Sequence, residues 1–399
     1  MSASTSKPTF IERFNQAKNI GDAISVFREV IESHSPRIER SRKKINDIYA
    51  GITPSSPYVE FAAYEGIAIN QAGWADTKYK SDLNAALQCI IQELERLPNY
   101  DYIPSVWLHD LGGSGYICGL FGTEFINHGG NGIEITKHAI STADEIKNLE
   151  MPDMQNDAAF KNICEYAGFL GETLGDILDG GVDIVYPQIQ GASTNSLRVL
   201  PEEEGLISVL TEPEEMEKLA LMVTRLMTDL IKGLHNSAGG PQRFRPRSRF
   251  GAPQNVKGLM VDDWISVMSP SDFKRVYASS YKLMSEELGD IFLHTCGPVL
   301  HIADLLAELE GLAGLETVFV SRETHGMEKT TEDLLLMKKA IAGRYTIGSV
   351  GLPDGAIVRD GENFSPEFMQ NLSSGGRFMF QASGSLEYAK KLSERLGIL

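Results

Sequence analysis

The segment Ile291-Phe292-Leu293-His294-Thr295-Cys296-Gly297-Pro298 carries an imidazole and a thiol two residues apart, directly after three apolar residues. The apolar run predicts a buried strand, and the strand period of two puts His294 and Cys296 on one face. Gly297 and Pro298 then end the strand. Zinc favours nitrogen and sulfur ligands, and catalytic zinc sites combine three protein ligands with one open position. His294 and Cys296 are therefore candidate metal ligands. Spacing alone reads equally well as Cys296 filling the core and His294 hydrogen-bonding in a pocket, because H-x-C is a short motif.

Other chemistry-bearing residues fall at the ends of strand-like runs. Asp262, Asp263 and Trp264 follow an apolar run and precede a helix-like segment. Asp263 is the candidate catalytic acid: it could orient a metal-bound histidine or act as a general acid or base. Capping of the next turn is the alternative role for it. Trp264 at the same lip is a candidate substrate contact. Gln188, Gln190 and Asn195 follow the run VDIVYPQI and are candidate amide contacts to a substrate, or else turn residues. His109 and Asp110 end another strand-like run. The stretch QRFRPRSRF gathers Arg243, Arg245, Arg247 and Arg249, which suit bidentate anion recognition or form a solvated loop.

These residues need a frame to hold them. From about residue 56 short apolar runs alternate with polar loops and longer amphipathic segments, the pattern of parallel βαβ units. DLNAALQCIIQELERL and PEEMEKLALMVTRLMTDLIKGL are clear helices, the second with proline near its start and acids in its first turn. No G-x-G-x-x-G follows the first strand, which counts against a doubly wound dinucleotide fold. The expected fold is α/β, a (β/α)8 TIM barrel spanning 56–399 behind an N-terminal helical extension over 1–55. In such barrels active sites lie at the C-terminal ends of the strands. The basic run RIERSRKKIND at the end of the extension is read as a solvated helix face.

Composition narrows the function classes. With 42% apolar and 23% charged residues, the 399-residue chain can bury a core. A formal net charge of −17 excludes general electrostatic binding of nucleic acid or of an anionic membrane surface. The cysteines Cys89, Cys118, Cys164 and Cys296 are too few and too scattered for a disulfide scaffold, which points to a reducing cytoplasm. No basic-then-apolar leader and no apolar run of membrane-spanning length are present, so a soluble cytoplasmic protein is expected.

HTCGPVLHIADLL resembles the H-x-C-G segment of the uroporphyrinogen decarboxylase superfamily, especially its zinc-dependent corrinoid methyltransferases. GTEFINHGG with ITKHAISTADEIKNLEMPD, GLISVLTEPEEMEKLALMVT and VDDWISVMSPSDFKRVYASSY are similar to further family segments in the same order, over roughly residues 60–390. The resemblance implies a zinc-dependent methyltransferase. It would move a methyl group between a corrinoid cofactor (methylcobalamin on a partner protein) and a small-molecule donor or thiol acceptor.

Two departures qualify this. AINQAGWAD lacks the arginines of the family's W-x-M-R-Q-A-G-R segment, which argues against uroporphyrinogen as substrate. The family's zinc methyltransferases take a third ligand from a cysteine near the last strand, where this chain has Gln381, Ala382 and Ser383. Glu323 in VFVSRETHG is the expected replacement ligand, and His325, two residues on and so on the same face of an extended chain, is a candidate substrate contact. An ordinary loop, with Glu323 paired to Arg322, is the alternative there, and Cys118 is a more remote ligand. Two other functions stay open: a metal-free decarboxylase or lyase of a small carboxylated substrate using Asp263 and the arginines, and a non-catalytic barrel that binds a corrinoid or another ligand.

Overall fold

The computed structural model describes residues 8–63, 69–108, 111, 113–128, 132–246, 252–253, 255–317, 322–341, 343–352 and 365–396, excepting the side chains of 62–63, 113, 322–331, 348–352 and 383–384. The strands are β1 (Tyr58–Ala63), β2 (Ser105–Trp107), β3 (Glu124–Asn127), β4 (Ile133–Lys137), β5 (Asp183–Val185), β6 (Phe244–Arg245), β7 (Gly258–Val261), β8 (Ile291–Thr295), β9 (Leu312–Thr317), β10 (Thr346–Leu352) and β11 (Phe378–Gly384). β3 and β4 form a separate antiparallel hairpin. The others pair in parallel in two sheets, one ordered β1-β11-β10-β9-β8-β7 and one ordered β2-β5-β6.

Taken together the two sheets follow chain order round a ring. A single parallel bridge between Glu60 and Asp101 leads from β1 towards β2. Gly191 N donates to Val261 O at 2.5 Å, and Lys257 Nζ donates to Phe244 O at 3.3 Å, linking the smaller sheet to β7. The ladder is thus TIM-barrel-like in order but is not closed. It is interrupted between β1 and β2 and between β6 and β7, among the described residues. The expectation of a continuous eight-stranded barrel is corrected to that extent.

The strands next to the candidate site are buried at every position: Gly258–Val261 and Ile291–Thr295 have no exposed residue. Parallel strands covered by helices on the outside require such unbroken apolar runs. The helix Pro213–Ser237 supplies part of that cover. It starts with proline and two glutamates in its first turn, and it buries Leu219, Val223, Leu226, Leu230 and Leu234 along one face.

The N-terminal helices, Phe10–Asn15 and Ile20–Tyr49, join the same core through Phe14, Phe27, Val30 and Ile38. Here the reading of the basic run as a solvated face needs correction. Arg37 Nε donates to Tyr100 O at 2.8 Å, and Arg42 pairs with Asp183 at 2.8 Å. Lys44 donates to Pro57 O and to Asp101 Oδ2 at 2.9 Å. These cations satisfy carbonyls and carboxylates at the N-terminal ends of β1, β2 and β5, which a packed helix leaves without water. Of the basic residues of the run, only Arg40 and Lys43 remain exposed.

Candidate active site

His294 and Cys296 leave the C-terminal end of β8 on one side, as the period of two predicts. His294 is buried and Cys296 is exposed. His294 Nε2 lies 3.3 Å from Cys296 Sγ. On the other edge of the ring, Nδ1 lies 2.6 Å from Oε2 of Glu316, the residue that pairs with His294 in the β8–β9 register. Donation of the Nδ1 proton to this carboxylate leaves the Nε2 lone pair facing the thiol.

Asp263 completes the group from the end of β7. Its Oδ1 accepts the backbone N–H of Cys296 at 2.7 Å. Ligand atoms of Asp263, His294 and Cys296 all lie within 4.8 Å of one another. Sequence reasoning offered Asp263 as an acid or base and looked elsewhere for a third ligand; the fold puts it beside the other two. Its side chain makes no cap for the following turn Trp264–Val267.

The backbone at this corner is held tightly. Asp262, fully buried, accepts from Ser193 N at 2.9 Å, Ser193 Oγ at 2.6 Å, Thr194 N at 3.1 Å and Tyr281 Oη at 3.1 Å. Burial pushes its carboxyl pKa up, and these hydrogen bonds pull it back towards the charged form. Asp262 N donates to His294 O, and Asp263 N donates to Thr194 Oγ1 at 3.1 Å. Gly297 is needed for close approach: a Cβ there would stand 2.3 Å from Ser266 Cβ and Oγ, in the turn after Asp263.

The remaining predicted residues divide. Gln190 and Asn195 are buried, and Asn195 Nδ2 donates to the carbonyls of Gln190 and Gly191, so its amide holds the turn into the helix Ala192–Val199. Gln188 and Trp264 are half-buried. Glu323 and His325 fall in the helix Arg322–Ile341, and their side chains lie outside those described. Residues two apart share a face only on extended chain; on a helix they do not face each other. Cys118 is buried and donates to Gly115 O, its thiol pKa pushed up to about 11 by burial, as suits an inert residue.

His109, Asp110, Arg247 and Arg249 lie outside the described residues. Arg243 pairs with Asp179, and Arg245, buried, with Asp183, both at the N-terminal ends of strands. Those two arginines therefore serve the framework rather than the mouth. Glu316 was missed. Its signal was a lone acid inside the apolar run LAGLETVFV, which acquires meaning only once β9 is in register with β8.

No helix of the described residues is long and apolar enough to cross a membrane. No family model matches the chain, and no curated protein matches it. Among solved structures it is similar to a methyltransferase from Methanosarcina mazei, with a TM-score of 0.56 over 90% of this chain and 98% of that one, at 16% sequence identity. At that identity the likeness is one of architecture, and the chain has an α/β fold like that of this methyltransferase.

Proposed function

We propose that the chain is a zinc-dependent methyltransferase of the uroporphyrinogen decarboxylase superfamily. Its parallel strands would be that family's barrel, with β6 as a short addition. The reaction would move a methyl group between a corrinoid on a carrier protein and a small-molecule donor or thiol acceptor. The observation that carries this reading is the juxtaposition of Asp263, His294 and Cys296 at two adjacent strand ends. The fold shared with a methyltransferase supports it. Asp263 answers the missing cysteine near the last strand.

The donor set fits zinc. It comprises one nitrogen, one sulfur and one oxygen, with the nitrogen and sulfur 3.3 Å apart and Cys296 open to solvent. Held there, zinc would supply Lewis-acid activation that makes a thiol available as thiolate at neutral pH. The chain's own residues do the rest. Glu316 accepts the Nδ1–H hydrogen bond, fixing the tautomer and the angle of the His294 ring. Asp263 spends one oxygen on the Cys296 N–H, which orients its other oxygen and pins the end of β8.

The test is zinc content by elemental analysis on protein without a histidine tag, for wild type and for His294→Ala, Cys296→Ala and Asp263→Asn. It is paired with thiol methylation from methylcobalamin. Near-stoichiometric zinc in wild type, lost in the first two variants and reduced in the third, is expected, with methylation lost in chelator. Protein that stays free of metal after reconstitution under reducing conditions, with Cys296→Ala as active as wild type, would remove the reading.

A further inference from the structure

A cavity of about 1260 Å3 lies at the opposite end of the strands from the Asp263–His294–Cys296 group. Its wall combines the helix Ile20–Tyr49 with residues that precede strands: Asp290 before β8, Gly311 before β9, Arg344 before β10 and Arg377 before β11. Asp290 and Cys296 are six steps of extended chain apart, roughly 20 Å. The space is larger than the roughly 300–1,000 Å3 of a typical small-molecule site.

Arg377 is the unusual wall residue. Its φ of +82° lies in the left-handed region, which a side chain occupies at a cost of about 1–2 kcal/mol. It follows Gly375 and Gly376, which share that conformation. Its backbone is fixed on both sides: N donates to Ile48 O, and O accepts from Ile347 N at 2.6 Å. Such strain persists only where the surroundings over-determine it. The result is a guanidinium delivered to the cavity wall.

That guanidinium is incompletely used. Nη1 donates to the carbonyl of Tyr49. Nε is buried without a partner, and Nη2 beside it makes no hydrogen bond among the described residues. Nε and Nη2 together form the planar fork that matches a carboxylate bidentately. The Tyr49 hydroxyl, on the same wall, is also buried without a partner. A buried donor left unmade costs about 1–3 kcal/mol, and more when charged, so an acceptor arriving here is favoured. Gly51 packs beside the fork: a Cβ there would stand 3.4 Å from Gly375 O, 3.5 Å from Nη2 and 3.7 Å from Nε.

The rest of the lining sets the ligand class. Ile31, Ile38, Ile45, Ile103 and Leu312 offer an apolar surface. Glu32, Glu39, Asp179 and Asp290 also border the cavity, which weighs against a doubly charged ligand such as a phosphate monoester. We propose that this cavity is a second ligand site, which takes a small monocarboxylate with an apolar body, its carboxylate on the Nε–Nη2 fork of Arg377 and beside the Tyr49 hydroxyl.

Decanoate and its uncharged counterpart decanol are the probes, titrated calorimetrically into the full chain. Decanoate should bind about tenfold more tightly than decanol, the increment of one charged bidentate contact. Arg377→Gln should erase that preference, and Tyr49→Phe, a gentler change, should lower it by about threefold. His294→Ala should leave it unchanged, which keeps the site separate from the metal group. Equal binding of the two probes, no binding of either at millimolar concentration, or an unaltered preference in Arg377→Gln would overturn the assignment. If Arg377→Gln does not fold, Tyr49→Phe with wild-type preference overturns it.

Discussion

His294 and Glu316 face each other across neighbouring parallel strands, with Nδ1 and Oε2 2.6 Å apart at the same register position. One strand thus supplies the candidate ligand, and the next supplies the group that fixes its tautomer. On the proposed reading the carboxylate would act on a metal through the ring, so its removal should weaken a site without dismantling it.

Glu316→Gln keeps the size of the side chain and a hydrogen-bonding oxygen but removes the negative charge that faces the His294 ring. Zinc affinity, measured by competition with a chromophoric chelator, should fall by about 10–100-fold while the stoichiometry at saturating zinc stays unchanged. Wild-type affinity in this variant would show that Glu316 only packs.

Charge fastens the N-terminal end of the smaller sheet to the helix Ile20–Tyr49. Asp183, buried, pairs with Arg42 at 2.8 Å and with buried Arg245 at 3.5 Å. Removing one member of such a group leaves the opposite charges buried without compensation. Asp183→Ala should therefore destabilise the chain by about 3–5 kcal/mol in urea unfolding, with little change in zinc stoichiometry of the fraction that folds. A loss below about 1 kcal/mol would mean that water reaches these arginines.

His235 sits beneath the sheet with Nε2 2.6 Å from the Tyr186 hydroxyl. Burial first, and the charge of Lys257 second, push its pKa down to about 4. The folded chain then binds fewer protons than the unfolded chain between about pH 4 and 6.5. Its stabilising contribution is complete above about pH 6.5 and is lost as the pH falls towards 4, by roughly 3 kcal/mol at most. Unfolding free energies measured at pH 7 and pH 5 should differ less in His235→Gln than in wild type. An equal difference in the two proteins would show that His235 takes up its proton without unfolding.

Much of this molecule is legible in linear order. The apolar runs 258–261 in β7 and 291–293 in β8 identify buried strands, because a strand covered on both faces need not alternate apolar and polar positions. The two-residue spacing of His294 and Cys296 identifies a shared face, because side-chain direction alternates along extended chain whatever surrounds it. The same rule failed for Glu323 and His325, since their segment is helical, and a period of two carries no meaning on a helix. Which residues meet across strands was decided by tertiary structure alone. Glu316 reaches His294 through the β8–β9 register, and Asp263 joins Cys296 across 33 positions of sequence. Arg37, which is buried, and Arg42 and Lys44, which are half-buried, became anchors because the strand ends beneath their helix hold polar groups that need partners. Local spacing records what one element can present; pairing between elements depends on register and packing, which no single segment contains.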